Sequence, residues 1–169
     1  MNLQDKHIKD WFASDITDAI KGGICSPKEI AQSYIDFVRT TDSGIDAWVQ
    51  FEESVILKDI DEGINQKGSL AGVPLAVKDV FNTKDYMTQM GSDIWKGFTP
   101  GNNARVIDHI LWEGAFISGK TVTAEFAVHH PGKTKNPVNA DYIIGYTNSK
   151  SLNQSNKKDE IIKITNNTL

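Results

Sequence analysis

Hydrophobic residues recur at helical spacing through most of the first 70 residues. The clearest pattern starts at Ser26-Pro27, because a capping serine followed by a proline favours the first turn of a helix. It predicts a helix over residues 27–40. Isoleucines spaced four apart predict an earlier helix over residues 16–24, and a similar pattern predicts a third over residues 54–66, ended by Lys67-Gly68. We therefore expect a mainly helical amino-terminal segment.

Short apolar runs rich in β-branched and aromatic residues predict three strands, over residues 47–51, 73–77 and 115–118. A further amphipathic helix is predicted between the second and third strands, over residues 106–111, and Gly114 ends it. A strand, a long connection, a helix and another strand follow the order that is typical of an α/β fold. We therefore expect a mixed sheet flanked by helices.

The chain divides into two segments of different composition. Residues 1–140 carry the predicted helices and strands and are short enough to form one domain. Residues 141–169 are expected to be a divergent polar tail, and residues 148–156 within it are rich in Asn, Ser and Lys, which predicts disorder. Residues 161–164 have the apolar pattern of a short strand, but no partner strand is identified.

Charge and composition exclude some classes of function. A formal net charge of −4 and a pI near 5.5 give no basic surface for nucleic acid or anionic membranes, so neither partner is expected. The sequence contains no apolar run long enough to cross a bilayer, and residues 1–10 lack a signal-peptide pattern. The single cysteine, Cys25, agrees with a reducing compartment. A cytoplasmic protein is expected.

One lysine follows directly on an apolar run. Residues 73–77 (VPLAV) suit a buried strand, and Lys78 comes at its carboxyl end. An ammonium in that position is partly desolvated, which lowers its pKa and allows the neutral amine to act as a general base. A lysine at a strand end is also commonly a surface residue whose aliphatic stem packs on apolar surface. These residues alone leave both interpretations open.

Five motifs occur in the order that is typical of one enzyme family. They are residues 72–79 (GVPLAVKD), 88–92 (TQMGS), 114–121 (GAFISGKT), 125–127 (EFA) and 134–137 (TKNP). Together they resemble the amidase signature family, and the resemblance spans residues 10–139, the amino-terminal portion of such an enzyme. General amidases are a closer match than the related transamidating enzymes that make glutaminyl-tRNA, the glutamyl-tRNA(Gln) amidotransferases.

This resemblance implies hydrolysis of a carboxamide C–N bond in a small-molecule substrate, by a serine nucleophile, a relay serine on a cis peptide and a lysine base. Lys78 is the counterpart of the lysine. The relay serine falls at approximately Thr147, where the glycine- and serine-rich loop of the family is not matched, so this position is expected not to function. Among the residues after Thr147, none forms the glycine-rich serine turn of the nucleophile. A truncated amidase, inactive alone, is therefore predicted.

Two alternatives use the same residues. One is a non-catalytic module that binds a complementing fragment, or a second copy, through an exposed edge of its sheet. The other is phosphate binding by residues 114–121, which match G-x-x-x-x-G-K-[ST], although a predicted helix precedes the first glycine where a phosphate loop needs a strand. Because the four histidines have no partner at ligand spacing, no metal is expected, and no cofactor either. Trp95 is a candidate for lining a substrate cleft.

Overall fold

Four α-helices and two small sheets make up residues 10–143, the part of the chain that the computed structural model describes, with side chains up to residue 138. The helices are α1 (Ala13–Lys21), α2 (Pro27–Thr41), α3 (Glu53–Glu62) and α4 (Arg105–Trp112). The strands are β1 (Trp48–Gln50), β2 (Pro74–Lys78), β3 (Phe116–Thr121), β4 (Lys135–Asn136) and β5 (Asn139–Ile143). No helix among these residues has the length and apolar content needed to span a membrane.

The helix termini show which sequence signals were decisive. Helix α2 begins as predicted, because the Ser26 side chain accepts a hydrogen bond from the Glu29 N–H at 3.3 Å while Glu29 accepts from the Ser26 N–H at 2.7 Å. The predicted extension of α3 to residue 66 is wrong. Gly63 has a φ of 98°, which ends the helix four residues earlier.

The main sheet has the strand order β1-β3-β2, with β2 parallel and β1 antiparallel to β3. This is the mixed sheet that was predicted. Strand β3 continues to Thr121, beyond the predicted end at residue 118, because Lys120 and Thr121 pair with residues of both β1 and β2. The register shifts between Leu75 and Ala76 of β2, which leaves Ser118 of β3 as the extra residue of a bulge.

Helices pack on both faces of this sheet, as the order of elements predicted. Successive residues of a strand point to opposite faces. Phe116 packs against buried residues of α2 and α3. On the other face, Leu75, Val77 and Ile117 pack against Ile107 of α4. The sheet that carries Lys78 is thus fixed by apolar contacts on both sides.

A short hairpin follows the main sheet. Strands β4 and β5 are antiparallel and are joined at Pro137-Val138, where a turn was predicted. The hairpin reaches the segment before β1, since the Lys135 N–H donates to the Ile45 carbonyl at 2.8 Å. Strand β5 crosses the predicted boundary at residue 140. The remaining predictions for the tail, including the relay position near Thr147 and the strand over residues 161–164, lie outside the described residues.

Candidate active site

The carboxyl ends of the two parallel strands lie side by side next to a pocket. Strand β2 ends at Lys78 and β3 ends at Thr121, and these two residues are paired in the register. Ligands of open α/β sheets bind at the carboxyl ends of the strands. The pocket here has a volume of about 480 Å³. Its lining includes Asp79, Gln89, Gly91, Ser92, Thr123, Glu125 and His130.

Lys78 occupies the position that the sequence predicted for it. It is half-buried at the end of β2, and burial lowers the pKa of its amine below the ordinary lysine value. Its Nζ makes no hydrogen bond or ion pair with any residue in the described part of the chain. Lys78 itself does not line the pocket, but the next residue, Asp79, does. The amine is therefore beside the pocket and is not held by another group of residues 10–143.

A second lysine, Lys120, is fully buried on the opposite face of the sheet. Its Nζ donates hydrogen bonds to the Phe81 carbonyl at 2.6 Å and to the hydroxyls of Thr83 and Thr88 at 3.1 and 2.8 Å. Oδ1 of Asp79 lies 3.6 Å away. No role was predicted for Lys120, although a lysine within an apolar strand pattern is a signal for a buried charge.

Asp79 and Lys120 form a buried ion pair in which neither side chain is exposed to solvent. Burial raises the pKa of the Asp79 carboxyl, while the charge of Lys120 and hydrogen bonds from backbone N–H groups oppose this rise. One of those donors is the Gln89 N–H, 3.2 Å from each carboxylate oxygen. Burial lowers the pKa of Lys120 to about 8, against the opposing effect of Asp79. Removing either partner would leave a costly unpaired charge.

Residues 79–92, which we call the 79–92 loop, are tied to the sheet at several points besides Lys120. The side-chain amide of Gln50, in β1, donates to the Met87 carbonyl at 2.9 Å and accepts from the Met87 N–H at 3.0 Å. The Met90 N–H donates to the Asp79 carbonyl at 2.9 Å. An irregular segment held in this way has a defined backbone shape at the pocket.

The rim of the pocket contains backbone in an unfavourable conformation. Met90, Phe126 and Ala127 have φ values of 54°, 48° and 67°, in the left-handed region that few residues other than glycine adopt. The Phe126 N–H donates to the Met90 carbonyl at 2.8 Å, so the residues with this strain are in contact. Backbone strain of this kind clusters at ligand-binding and catalytic sites.

Two of the sequence motifs meet at this rim. Ser92 donates a hydrogen bond from Oγ to Glu125 Oε1 at 2.7 Å, which joins residues 88–92 to residues 125–127. Gly91 has a φ of 65°, and a Cβ at this position would lie 2.9 Å from the Thr123 carbonyl oxygen. A glycine is required here by both the conformation and the close approach.

The structure contradicts the phosphate-binding alternative for residues 114–121. Helix α4 precedes Gly114, and the residues that follow form β3 instead of a flexible turn. The lysine that would bind phosphate is Lys120, which is fully buried and bonded to protein groups. The suggestion that Trp95 lines the cleft is also wrong, since its ring packs against Phe98 while its neighbours Ile94 and Lys96 line the pocket. No group of three or more His, Cys, Asp or Glu side chains in residues 10–143 is arranged to hold a metal ion.

The profile of the Amidase family matches residues 29–146, which include both lysines and the pocket. The chain therefore belongs to the amidase family. It is 30% identical over 158 residues to a chain of the mitochondrial glutamyl-tRNA(Gln) amidotransferase of Macaca fascicularis, covering 86% of this chain and 29% of that relative. With the corresponding chain of the Thermobifida fusca amidotransferase the identity is 34% over 145 residues, which cover 79% of this chain and 29% of the relative.

Solved structures of the amidase signature family have the same fold. A bacterial aryl acylamidase aligns with a TM-score of 0.70 at 21% identity, over 82% of this chain and 31% of the enzyme. The peptide amidase of Stenotrophomonas maltophilia aligns with a TM-score of 0.65 at 23% identity, over 76% of this chain and 30% of the enzyme. The chain thus spans less than a third of the length of these relatives.

Proposed function

We propose that this chain contributes the general base, Lys78, to the active site of an amidase that hydrolyses the C–N bond of a small carboxamide. The observation that carries the proposal is a half-buried amine, without a partner among residues 10–143, at the end of a parallel strand in a chain of the amidase family. Burial lowers the pKa of this amine, which increases the fraction that is neutral and able to accept a proton near neutral pH.

In the proposed reaction, Lys78 takes a proton from a serine hydroxyl through a relay serine, and the serine oxygen forms a bond to the carboxamide carbon. The C–N bond breaks, and the proton held by the lysine passes to the departing nitrogen, so that ammonia or an amine leaves. Water then hydrolyses the acyl-serine ester to the acid. Neither serine has a counterpart among the described residues, and Thr147, at the approximate relay position, lacks the family's loop. We therefore propose that the 169-residue polypeptide alone is inactive.

The size of the pocket supports a small substrate. A volume of about 480 Å³ lies in the range of sites for small molecules. Carboxylate groups of Asp79, Asp93 and Glu125 outnumber the Lys96 ammonium in its lining, which agrees with the net charge of −4 and disfavours a nucleic-acid ligand. We propose that the enzyme acts on a small amide in the cytoplasm, without a cofactor.

The proposal is tested by ammonia release from simple carboxamides. The isolated chain is expected to release none. Residues 1–139 are then joined to the carboxyl-terminal remainder of the Thermobifida fusca relative, and the joined enzyme is compared with its Lys78→Met and Lys84→Met variants. Lys84 is a matched control, because it is an exposed lysine six residues away that pairs only with Asp85. Loss of activity is expected in the Lys78 variant alone. Equal activity of the two variants would contradict the proposed base.

A second candidate is a non-catalytic module that binds a partner which completes its sheet. Strand β2 has only one hydrogen-bonded neighbour among the described strands, yet the exposed fractions of Leu75, Ala76 and Val77 are only 1–3%, as in an interior strand. This candidate predicts a stable complex with a complementing fragment, or a dimer of the chain, in sedimentation experiments, with no amide hydrolysis by either.

A further inference from the structure

We propose that Lys120 is a positioning residue, whose buried ammonium holds the 79–92 loop in the shape that lines the pocket. It does not line the pocket itself, so it acts through the loop and not on a substrate. That the pocket is a substrate site rests on the proposed function. The anchoring of the loop does not, because it depends only on contacts within residues 79–120.

The contacts of Lys120 concentrate on one segment. All three hydrogen-bond acceptors of its Nζ, the Phe81 carbonyl and the hydroxyls of Thr83 and Thr88, belong to the 79–92 loop. The fourth neighbour, Asp79, is the first residue of the same loop. Lys120 itself is fixed in β3 by pairing with β1 on one side and β2 on the other. One side chain therefore attaches the loop to the centre of the sheet.

Burial makes this attachment difficult to replace. Lys120, Asp79, Thr83 and Thr88 are all fully buried, so water cannot take over the hydrogen bonds of a missing ammonium without entering the core. A compact ammonium can direct its protons to several acceptors around it, whereas the planar guanidinium of arginine has a fixed fork geometry. The arrangement of acceptors is thus specific for lysine.

Two connections lead from the ammonium to the pocket wall. Asp79 receives the charge of Lys120 and in turn accepts the Gln89 N–H, 3.2 Å from each carboxylate oxygen. Thr88 is held directly, and its N–H donates to the Phe98 carbonyl at 2.8 Å. The residues that follow, Gln89 to Ser92, supply one wall of the pocket. Loss of the ammonium is therefore expected to loosen this wall before the rest of the fold.

The experiment compares the full 169-residue chain with its Lys120→Met and Ser118→Ala variants. Ser118 is a matched control, since it is fully buried in the same strand but its hydroxyl makes no hydrogen bond within the described residues. Amide hydrogen exchange is measured for residues 87–92 and for α2, and the titration of the Asp79 carboxyl is followed by carbon NMR. Packing of the lysine stem alone would not change that titration.

In Lys120→Met, we expect the amides of residues 87–92 to exchange roughly tenfold faster or more, with a smaller change in α2. The Asp79 carboxyl should titrate at a higher pH, because its counter-charge is gone. Ser118→Ala should change neither. Unchanged exchange in the loop, or equal acceleration in α2 with an unchanged Asp79 titration, would overturn the proposal.

If Lys120→Met does not fold, Thr88→Val provides the test. This variant removes one acceptor, 2.8 Å from Nζ, but keeps the pair of Lys120 and Asp79. Faster exchange confined to residues 87–92, without a change in the Asp79 titration, is expected. Exchange as slow as in the unaltered chain would overturn the proposal. These readouts need no catalysis, so failure of the proposed amidase function would leave them unaffected.

Discussion

Replacement of Lys120 by methionine is expected to destabilise the fold by about 3–5 kcal/mol, because it leaves the buried Asp79 carboxylate without its partner. Part of the loss is recovered locally. The Thr88 hydroxyl already lies 3.2 Å from the Phe81 carbonyl and can donate to it when the ammonium is absent. Protonation of Asp79, whose pKa is already raised by burial, also limits the cost.

A double-mutant cycle separates the unpaired charge from the loss of packing. Asp79→Asn keeps an acceptor for the Gln89 N–H but removes the negative charge. The double variant Lys120→Met/Asp79→Asn should therefore be more stable than the sum of the two single changes predicts, by about 0.5–3 kcal/mol. Urea denaturation at pH 7 measures all four free energies of unfolding. Additive effects, or a cost below about 1 kcal/mol for Lys120→Met, would refute the assignment of a buried ion pair.

Three further predictions concern stability. Because the pKa of Lys120 is lowered to about 8 in the folded chain, the unfolded chain binds more protons above pH 8, and the free energy of unfolding should rise between pH 8 and 9.5 by at most about 1.4 kcal/mol per pH unit; a flat urea-denaturation profile would contradict this. Gly119→Ala should lower the melting temperature, with a cost of about 1–3 kcal/mol, because a Cβ would lie 2.4 Å from the Gln50 carbonyl oxygen; an unchanged melting temperature would count against this packing. Ser26→Ala should cost about 0.5–2 kcal/mol in urea denaturation by removing the cap of α2, and a neutral effect would show that the cap is dispensable.

The parts of the fold that were predicted correctly carry strong local signals. Ser26-Pro27 supplied both the cap and the first turn of α2, whose observed end at Thr41 is one residue from the prediction. The apolar run before Lys78 similarly identified β2. Where a local signal was overlooked, the prediction failed. Gly22-Gly23 ends α1 before Ile24, which is 53% exposed instead of packing with Ile16 and Ile20.

The part of the site that was not predicted depends on contacts between distant segments. Lys120 meets Thr83 and Thr88, which lie 37 and 32 residues earlier in the chain, and no periodicity relates these positions. The motif around Lys120 was interpreted as the end of a strand and a turn, because a lysine after a glycine favours an exposed loop. Pairing of β3 with strands on both sides overrode that preference and buried the charge.

Chemical rescue tests the central claim, that Lys78 is the general base, most directly. In the joined enzyme described above, Lys78→Ala is expected to abolish ammonia release, and added ethylamine should restore it in proportion to the concentration of its free base. The same amine should have no effect on Lys84→Ala, whose activity should be unchanged. Full activity of Lys78→Ala without ethylamine would contradict the account, because the reaction would then not need this amine.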